Sequence, residues 1–399
     1  MSFNFSGKIH SSKSLVNRLL ILRQNFSELH VQYESSSDDV KNLEQLFEDY
    51  NQGKTEFFIG DGGTTFRFFC FWISMKEGVW KLHLGEQLAR RPHDGILDVF
   101  KQVGIQAQFQ TPNLLEITGG RWNLHKVINI DLAQSTQFLT GFLLAATTLK
   151  RSFRVHVHGL SQSSGYEDIT TRLLQRLNFQ IEKEELSEDE EQYKIIPPVD
   201  PIAEEMTVGA DWSSIFYLSL FAFLDAEIKI TNIDMESPEP DREGLQILSE
   251  CGLNFGLGHN ELTIKPSDFE LRKTHFDFRK NPDLFPGFCA LLAWGLKTDQ
   301  EVTLQFPWQL KLKESDRLTK SLEFFKLSQL EFTFLDSETL NVRQGSDRPQ
   351  EIQTDFDTAM DHRMFMSAMF LKHAGWGLKL QDFSSYRKSF PEFMEIIHG

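Results

Sequence analysis

Long apolar runs are missing from this chain of 399 residues. A membrane-spanning helix needs roughly 18 or more consecutive apolar residues, and the longest run here, near Ile215–Leu224, is far shorter. Cysteine is scarce. Cys70, Cys251 and Cys289 are widely spaced and form no Cys-x-x-Cys, and such an odd, scattered set fits a reducing cytoplasm better than a disulfide framework. The first residues lack a charged start followed by an apolar stretch, so no signal peptide is expected. Positive charge is short as well: 41 Lys and Arg against 57 Asp and Glu leave a net charge of −16, which opposes general nucleic-acid binding. No Gly-Lys-Ser/Thr closes a phosphate loop, no Gly-x-Ser-x-Gly marks a nucleophile elbow, and no His-Glu-x-x-His offers a zinc pair. His156 and His158 alternate on an expected strand without a third ligand in sequence, so no metal site is expected.

What is present is an ordinary globular composition, 40% apolar and 25% charged, long enough for about two domains. Its 36 Phe suit buried layers. Six times a short polar cluster runs into an apolar, helix-like stretch, with the clusters centred on Ser14, Thr64, Thr136, Ser213, Asp283 and Arg363. Their spacings of 50, 72, 77, 70 and 80 residues are those of one repeated unit, shortened in its first copy. Helices apolar all round belong inside a domain. An amphipathic helix type recurs at Asp94–Val103, Asp168–Leu177, Arg242–Cys251 and Leu318–Ser328, each followed by a turn residue: Gly104, Asn178, Gly252 and Gln329. Ser37-Asp38-Asp39 before Val40–Phe47 reads as the capped equivalent in the shortened copy. Short strands such as Ile105–Phe109 and Leu330–Phe332 follow, giving an α/β fold of six β-α-β-α-β-β units, three to a domain.

Polar helix starts are natural anion sites, because their N–H groups and positive dipole end face outward. In so acidic a chain, Lys and Arg placed at those starts act locally. Ser12-Lys-Ser-Leu-Val-Asn-Arg18 sets Lys13 and Ser14 at one start with Arg18 a turn later. Gly60-Asp-Gly-Gly-Thr-Thr-Phe-Arg67 is a glycine-rich turn that lets backbone approach an anion closely, with Asp61 a possible cap. Lys311-Leu-Lys-Glu-Ser-Asp-Arg317 places Lys313, Glu314 and Arg317 on one helical face.

In this order and spacing, these segments resemble the 5-enolpyruvylshikimate-3-phosphate synthase family. So do Arg91-Pro92, Ser135-Thr-Gln-Phe-Leu-Thr140, Asp361-His-Arg-Met364 and Lys388-Ser-Phe-Pro391, and the resemblance runs from Ser12 to Pro391. It implies the two-domain enolpyruvyl transferase fold, with domains at 1–11 plus 210–399 and at 12–209 and the active site in the cleft between them. The implied reaction transfers the enolpyruvyl group of phosphoenolpyruvate to the 5-hydroxyl of shikimate 3-phosphate, by addition and then elimination of phosphate. Lys13, Asp283 and Glu314 would move protons. Lys13, Gly63, Arg91, Gln137, Arg317, Arg363 and Lys388 would hold phosphoenolpyruvate. Lys13, Ser14, Arg18, Ser135, Thr136, Gln137, Ser163, Asp283, Gln309 and Lys313 would hold shikimate 3-phosphate. The family implies no cofactor and no metal, and a cytoplasmic monomer with neither nucleic-acid nor membrane partners.

The chain departs from the family pattern in places. His10-Ser11 stands where the family has Pro-Gly at the expected hinge. Asp61 replaces Asn, which predicts weaker phosphoenolpyruvate binding than in Asp61→Asn unless capping neutralises Asp61. Phe68 stands at a position commonly Pro or Leu, and Gln309 replaces an Asn. Gly63 is the small residue associated with sensitivity to glyphosate. Two alternatives compete. One is the related transferase acting on UDP-N-acetylglucosamine, disfavoured because Ser14 follows Lys13 and no cysteine lies just before Arg91. The other is a non-catalytic binding relative, disfavoured because both carboxylates, Asp283 and Glu314, are retained.

Overall fold

The fold is given by a computed structural model, which describes residues 3–159, 165–199, 204–345, 349 and 351–399. The chain forms two compact units: Met1–Ser12 with Gly209–Gly399, and Lys13–Val208. Each has its own apolar core. Ser12 and Gly209, assigned from the sequence to the second domain, fall in the first unit, where Ser12 N–H donates to Gly209 O at 2.9 Å.

One building block recurs. A strand is followed by a buried helix, a parallel strand, an outer helix and an antiparallel hairpin whose second strand inserts between the first pair and its own partner. In the Lys13–Val208 unit this gives the sheet order Glu56–Gly60, Gly78–Leu84, Leu114–Gly119, Gln106–Thr111, and again Ile128–Asp131, Phe153–His158, Glu190–Ile196, Gln180–Glu185. In the other unit, Asn4–Gly7, Glu227–Ile230, Leu262–Lys265, Asn254–Leu257 and His275–Asp277, Glu301–Gln305, Thr339–Gln344, Leu330–Phe334 follow the same order. The third sheet of each unit is cut to one parallel pair, Leu29–Gln32 with Glu204–Thr207 and Gln353–Phe356 with Gly377–Leu380. Two of the six blocks are therefore short, where the spacing suggested one. The last block lacks its hairpin because the chain runs into the Phe393–His398 helix instead.

The six polar clusters lie at the starts of Lys13–Asn25, Gly63–Ser74, Gln137–Ala146, Trp212–Ser219, Phe285–Gly295 and His362–His373. Most residues of each of these helices are buried, with Gly63–Ser74 packed on Lys13–Asn25 and Gln137–Ala146, and Phe285–Gly295 packed on His362–His373. The outer helices end where the sequence places turns: Gly104, Asn178, Gly252 and Gln329 all take positive φ, 80°, 63°, 100° and 58°. That backbone turns the chain sharply from helix to hairpin. Ser37 precedes Asp38–Asn51 as expected, although its side chain makes no cap hydrogen bond. No helix among the described residues is long and apolar enough to cross a membrane.

Candidate functional site

In the discontinuous unit, charged residues gather where three helices begin. Arg317 opens Arg317–Leu327, Asp361 caps His362–His373 by accepting from Arg363 N–H at 2.9 Å, and Asp283 lies in the turn entering Phe285–Gly295. Arg317, only 1% exposed, holds three carboxylates. Its Nε donates to Asp361 Oδ2, Nη1 to Asp283 Oδ1 and Nη2 to Glu314 Oε2, each at 2.8 Å, and Nη2 also reaches Asp361 Oδ1 at 3.2 Å. Arg363 Nη2 donates to Asp283 Oδ2 at 3.3 Å, Lys313 Nζ lies 3.7 Å from Asp283 Oδ1, and Lys388 Nζ lies 3.5 Å from Glu314 Oε1.

Burial alone would protonate Asp283. Arg317, then Lys313 and Arg363, overcome it and hold the carboxyl well below the usual carboxylate range. Arg363 Nε and Nη1 are buried without a hydrogen-bond partner among the described residues. A buried guanidinium with unused N–H groups is a ready seat for a carboxylate or phosphate. Tyr217 backs this arrangement: its hydroxyl donates to Asp283 O at 2.9 Å and its ring lies 5.3 Å from the Arg363 guanidinium.

The Lys13–Val208 unit carries a second cluster. Lys13 Nζ donates to Asp39 Oδ2 at 3.1 Å. Arg67 Nη1 donates to Gln137 Oε1 at 2.7 Å, and Gln137 Nε2 passes the link to Thr64 Oγ1 at 3.0 Å. Gly63 is needed beside them, because a Cβ there would sit 2.5 Å from Arg91 Nη1 and 2.8 Å from Arg67 Nη1. Arg91 Nε is buried without a partner. Nearby His93 is held down to about 3, by burial first and then by Arg67 and Arg91. Arg18 is already bonded internally, with Nε to Thr170 Oγ1 at 2.9 Å and Nη2 to Tyr166 O at 3.0 Å.

Asp61 has the capping role that the sequence left open, though for a different helix. Its Oδ1 accepts from Gln87 N–H at 2.9 Å and Leu88 N–H at 3.1 Å, at the start of the one-turn helix Glu86–Ala89 that leads to Arg91. Gly85 makes room for it, since a Cβ there would lie 2.3 Å from Asp61 Oδ1. These two N–H groups occupy Oδ1 of the carboxylate that stands where the family has an Asn.

The structure thus gathers Asp283, Lys313, Glu314, Arg317, Arg363 and Lys388 in one unit. Gln309 lies in the turn Trp308–Leu312 of the same unit. Gly63, Arg91 and Gln137 gather in the other, which also holds Lys13, Ser14, Arg18, Ser135 and Thr136 at helix starts. Ser135 Oγ accepts from Gln137 N–H at 3.2 Å. Ser163 lies outside the described residues. Sequence reasoning passed over Asp39, Arg67, Tyr217 and Asp361 as site members. Asp361 and Arg67 stand inside the motifs and were open to a capping or charge argument, whereas Asp39 and Tyr217 carry no local signal.

Comparison with known proteins places the chain in a family. A family model described as EPSP synthase (3-phosphoshikimate 1-carboxyvinyltransferase) matches residues 17–397. A curated 3-phosphoshikimate 1-carboxyvinyltransferase from Shewanella baltica is 25% identical, with 86% of this chain and 79% of the relative covered. Its namesake from Methanococcoides burtonii is 26% identical over 86% and 78%. Among solved structures, an EPSP synthase from Acinetobacter baumannii shares the fold at TM-score 0.68 and 18% identity, covering 100% of this chain and 95% of the other. The enolpyruvyl transferase NikO from Streptomyces tendae does so at 0.70 and 14%, with the same coverage. With the family model spanning nearly the whole chain, this protein belongs to the EPSP synthase (3-phosphoshikimate 1-carboxyvinyltransferase) family, the enolpyruvyl transferases of aromatic amino acid biosynthesis.

Proposed function

We propose that the two clusters together carry out transfer of the enolpyruvyl group of phosphoenolpyruvate to the 5-hydroxyl of shikimate 3-phosphate, with release of phosphate. One observation carries the reading: Asp283 is held ionised among Arg317, Lys313 and Arg363, while Arg363 Nε and Nη1 are buried with no hydrogen-bond partner among the described residues. Arg363, Arg91, Lys388, Gln137 and the backbone at Gly63 would seat phosphoenolpyruvate, with Lys13 and the fifth N–H of Arg317 completing the set. Ser14, Arg18, Ser135, Thr136, Gln137, Ser163, Gln309, Lys313 and Lys13 would seat shikimate 3-phosphate.

The addition step needs a base for the hydroxyl and an acid for the methylene carbon, and the elimination step reverses the traffic. A carboxylate as acidic as Asp283 is a poor base in the free protein. Two anionic substrates drawn onto the surrounding cations would offset their charge and raise its proton affinity, so the base would be armed by binding. Glu314, bonded to Arg317 and close to Lys388, and Lys13, bonded to Asp39, are the remaining groups able to deliver a proton. No metal or organic cofactor is required by this chemistry. We infer a cytoplasmic monomer.

The test is phosphate release by the purified protein given phosphoenolpyruvate with shikimate 3-phosphate, and in parallel with UDP-N-acetylglucosamine. Release with shikimate 3-phosphate alone is expected. Silence in both tubes, with ligand binding intact, would overturn catalysis in favour of a binding protein.

A further inference from the structure

Glu239 is a buried carboxyl for which the transfer chemistry has no direct use. It stands just before the turn Pro240–Arg242, and 4% of it is exposed. Ser12 Oγ donates to its Oε1 at 2.7 Å, and Ser237 Oγ lies 2.8 Å from its Oε2. Two further buried acids face it: Asp211, which caps Trp212–Ser219, and Asp241 on its own turn. Arg242 Nη1 donates to Ser237 O at 3.1 Å and His10 Nδ1 lies 3.2 Å from Glu392, while the charge of Arg363, which bonds Asp283, also acts on Asp211.

Ser12 is the last residue of its unit before Lys13, and its N–H donates to the O of Gly209, the residue at which the chain re-enters that unit. We propose that Glu239 is a positioning residue for the transfer, acting through its hydrogen bond to Ser12 on the segment that carries Lys13. This rests on the role given to Lys13 above. Burial first, and then the charge of Asp211, push the Glu239 carboxyl well above the usual carboxylate range, so it works uncharged. Ionisation would tighten the bond from Ser12 while setting Glu239 against the neighbouring acids Asp211 and Asp241, so the carboxyl and the serine it holds would shift position. A glutamine can keep both bonds, its carbonyl accepting from Ser12 and its amide donating to Ser237, without titrating.

The experiment compares wild type, Glu239→Gln, Glu239→Ala and Ser12→Ala by kcat/KM against pH and by amide exchange at residues 11–14. Glu239→Gln should keep wild-type kcat/KM at pH 7 and carry its alkaline fall to higher pH. Glu239→Ala and Ser12→Ala should lose about tenfold, the scale of one functional hydrogen bond, with faster exchange at the crossing. Superimposable pH profiles for wild type and Glu239→Gln would overturn the proposal, as would full activity and unchanged exchange in Glu239→Ala. Exchange needs no turnover, so an inactive wild type with the expected exchange pattern counts against the transfer reading and in favour of the Ser12 contact.

Discussion

Arg317 holds three carboxylates, and Asp361 is its fully buried partner. Removing one member of a buried ion pair leaves the other desolvated and costs about 3–5 kcal/mol. Asp361→Ala should lower stability by that order in urea denaturation, since the helix cap at Arg363 N–H goes with it; a loss below about 1 kcal/mol would contradict the geometry. Gly63→Ala tests the other cluster. The added methyl meets the ends of Arg91 and Arg67, which can swing away, so the protein should fold while KM for phosphoenolpyruvate rises and kcat falls less. An unchanged KM would remove Arg91 from the binding set. At this scale the sequence was informative where charge and motif coincided, as at Asp283, Glu314 and Arg363. It was silent on Asp39 and Tyr217, whose partners arrive only through tertiary packing.

Among the repeated elements, the turns after the outer helices were readable because the left-handed backbone favours Gly and Asn. Three of the four positions obey that preference. Gln329, at φ 58°, does not, and a non-glycine residue there costs roughly 1–2 kcal/mol of strain, partly offset by the greater flexibility glycine brings to the unfolded chain. Gln329→Gly should therefore raise stability by about 0.5–1 kcal/mol, read from the urea midpoint at constant slope, whereas Asn178→Gly should change it little. Equal responses at the two sites would argue against stored strain at Gln329. What spacing could not reveal was the missing hairpin of the last block. A repeat is counted from its helix starts, and the absence of two later strands leaves those starts in place.

Each unit of the molecule also has its own response to pH. Glu167, buried in Gly165–Arg176, is pushed up to about 8 by burial, with Asp168 and Glu191 adding to it. A carboxyl raised in the folded state binds its proton more tightly there than when unfolded. Its favourable contribution is full below the ordinary value near 4.5 and is lost as pH climbs to about 8. Glu167→Gln should match wild type near pH 4 and then gain on it by at most about 1.4 kcal/mol per pH unit, levelling off above pH 8. Parallel stability curves would mean Glu167 is ionised in the folded protein.

The same unit offers a test of autonomy. Its core draws only on residues between Leu15 and Val208, and its two ends are stitched together because Glu204–Thr207 pairs in parallel with Leu29–Gln32 and Val208 N–H donates to Gln32 O at 2.9 Å. A domain with its own core and paired termini can fold alone. The fragment 13–208 should accordingly show a single cooperative thermal transition by circular dichroism. The fragment 13–199 leaves Leu29–Gln32 without its only partner strand among the described residues, and should unfold at lower temperature or without cooperativity. Identical transitions would show that the closing strand is dispensable. Failure of 13–208 alone would mean that this core depends on the rest of the chain.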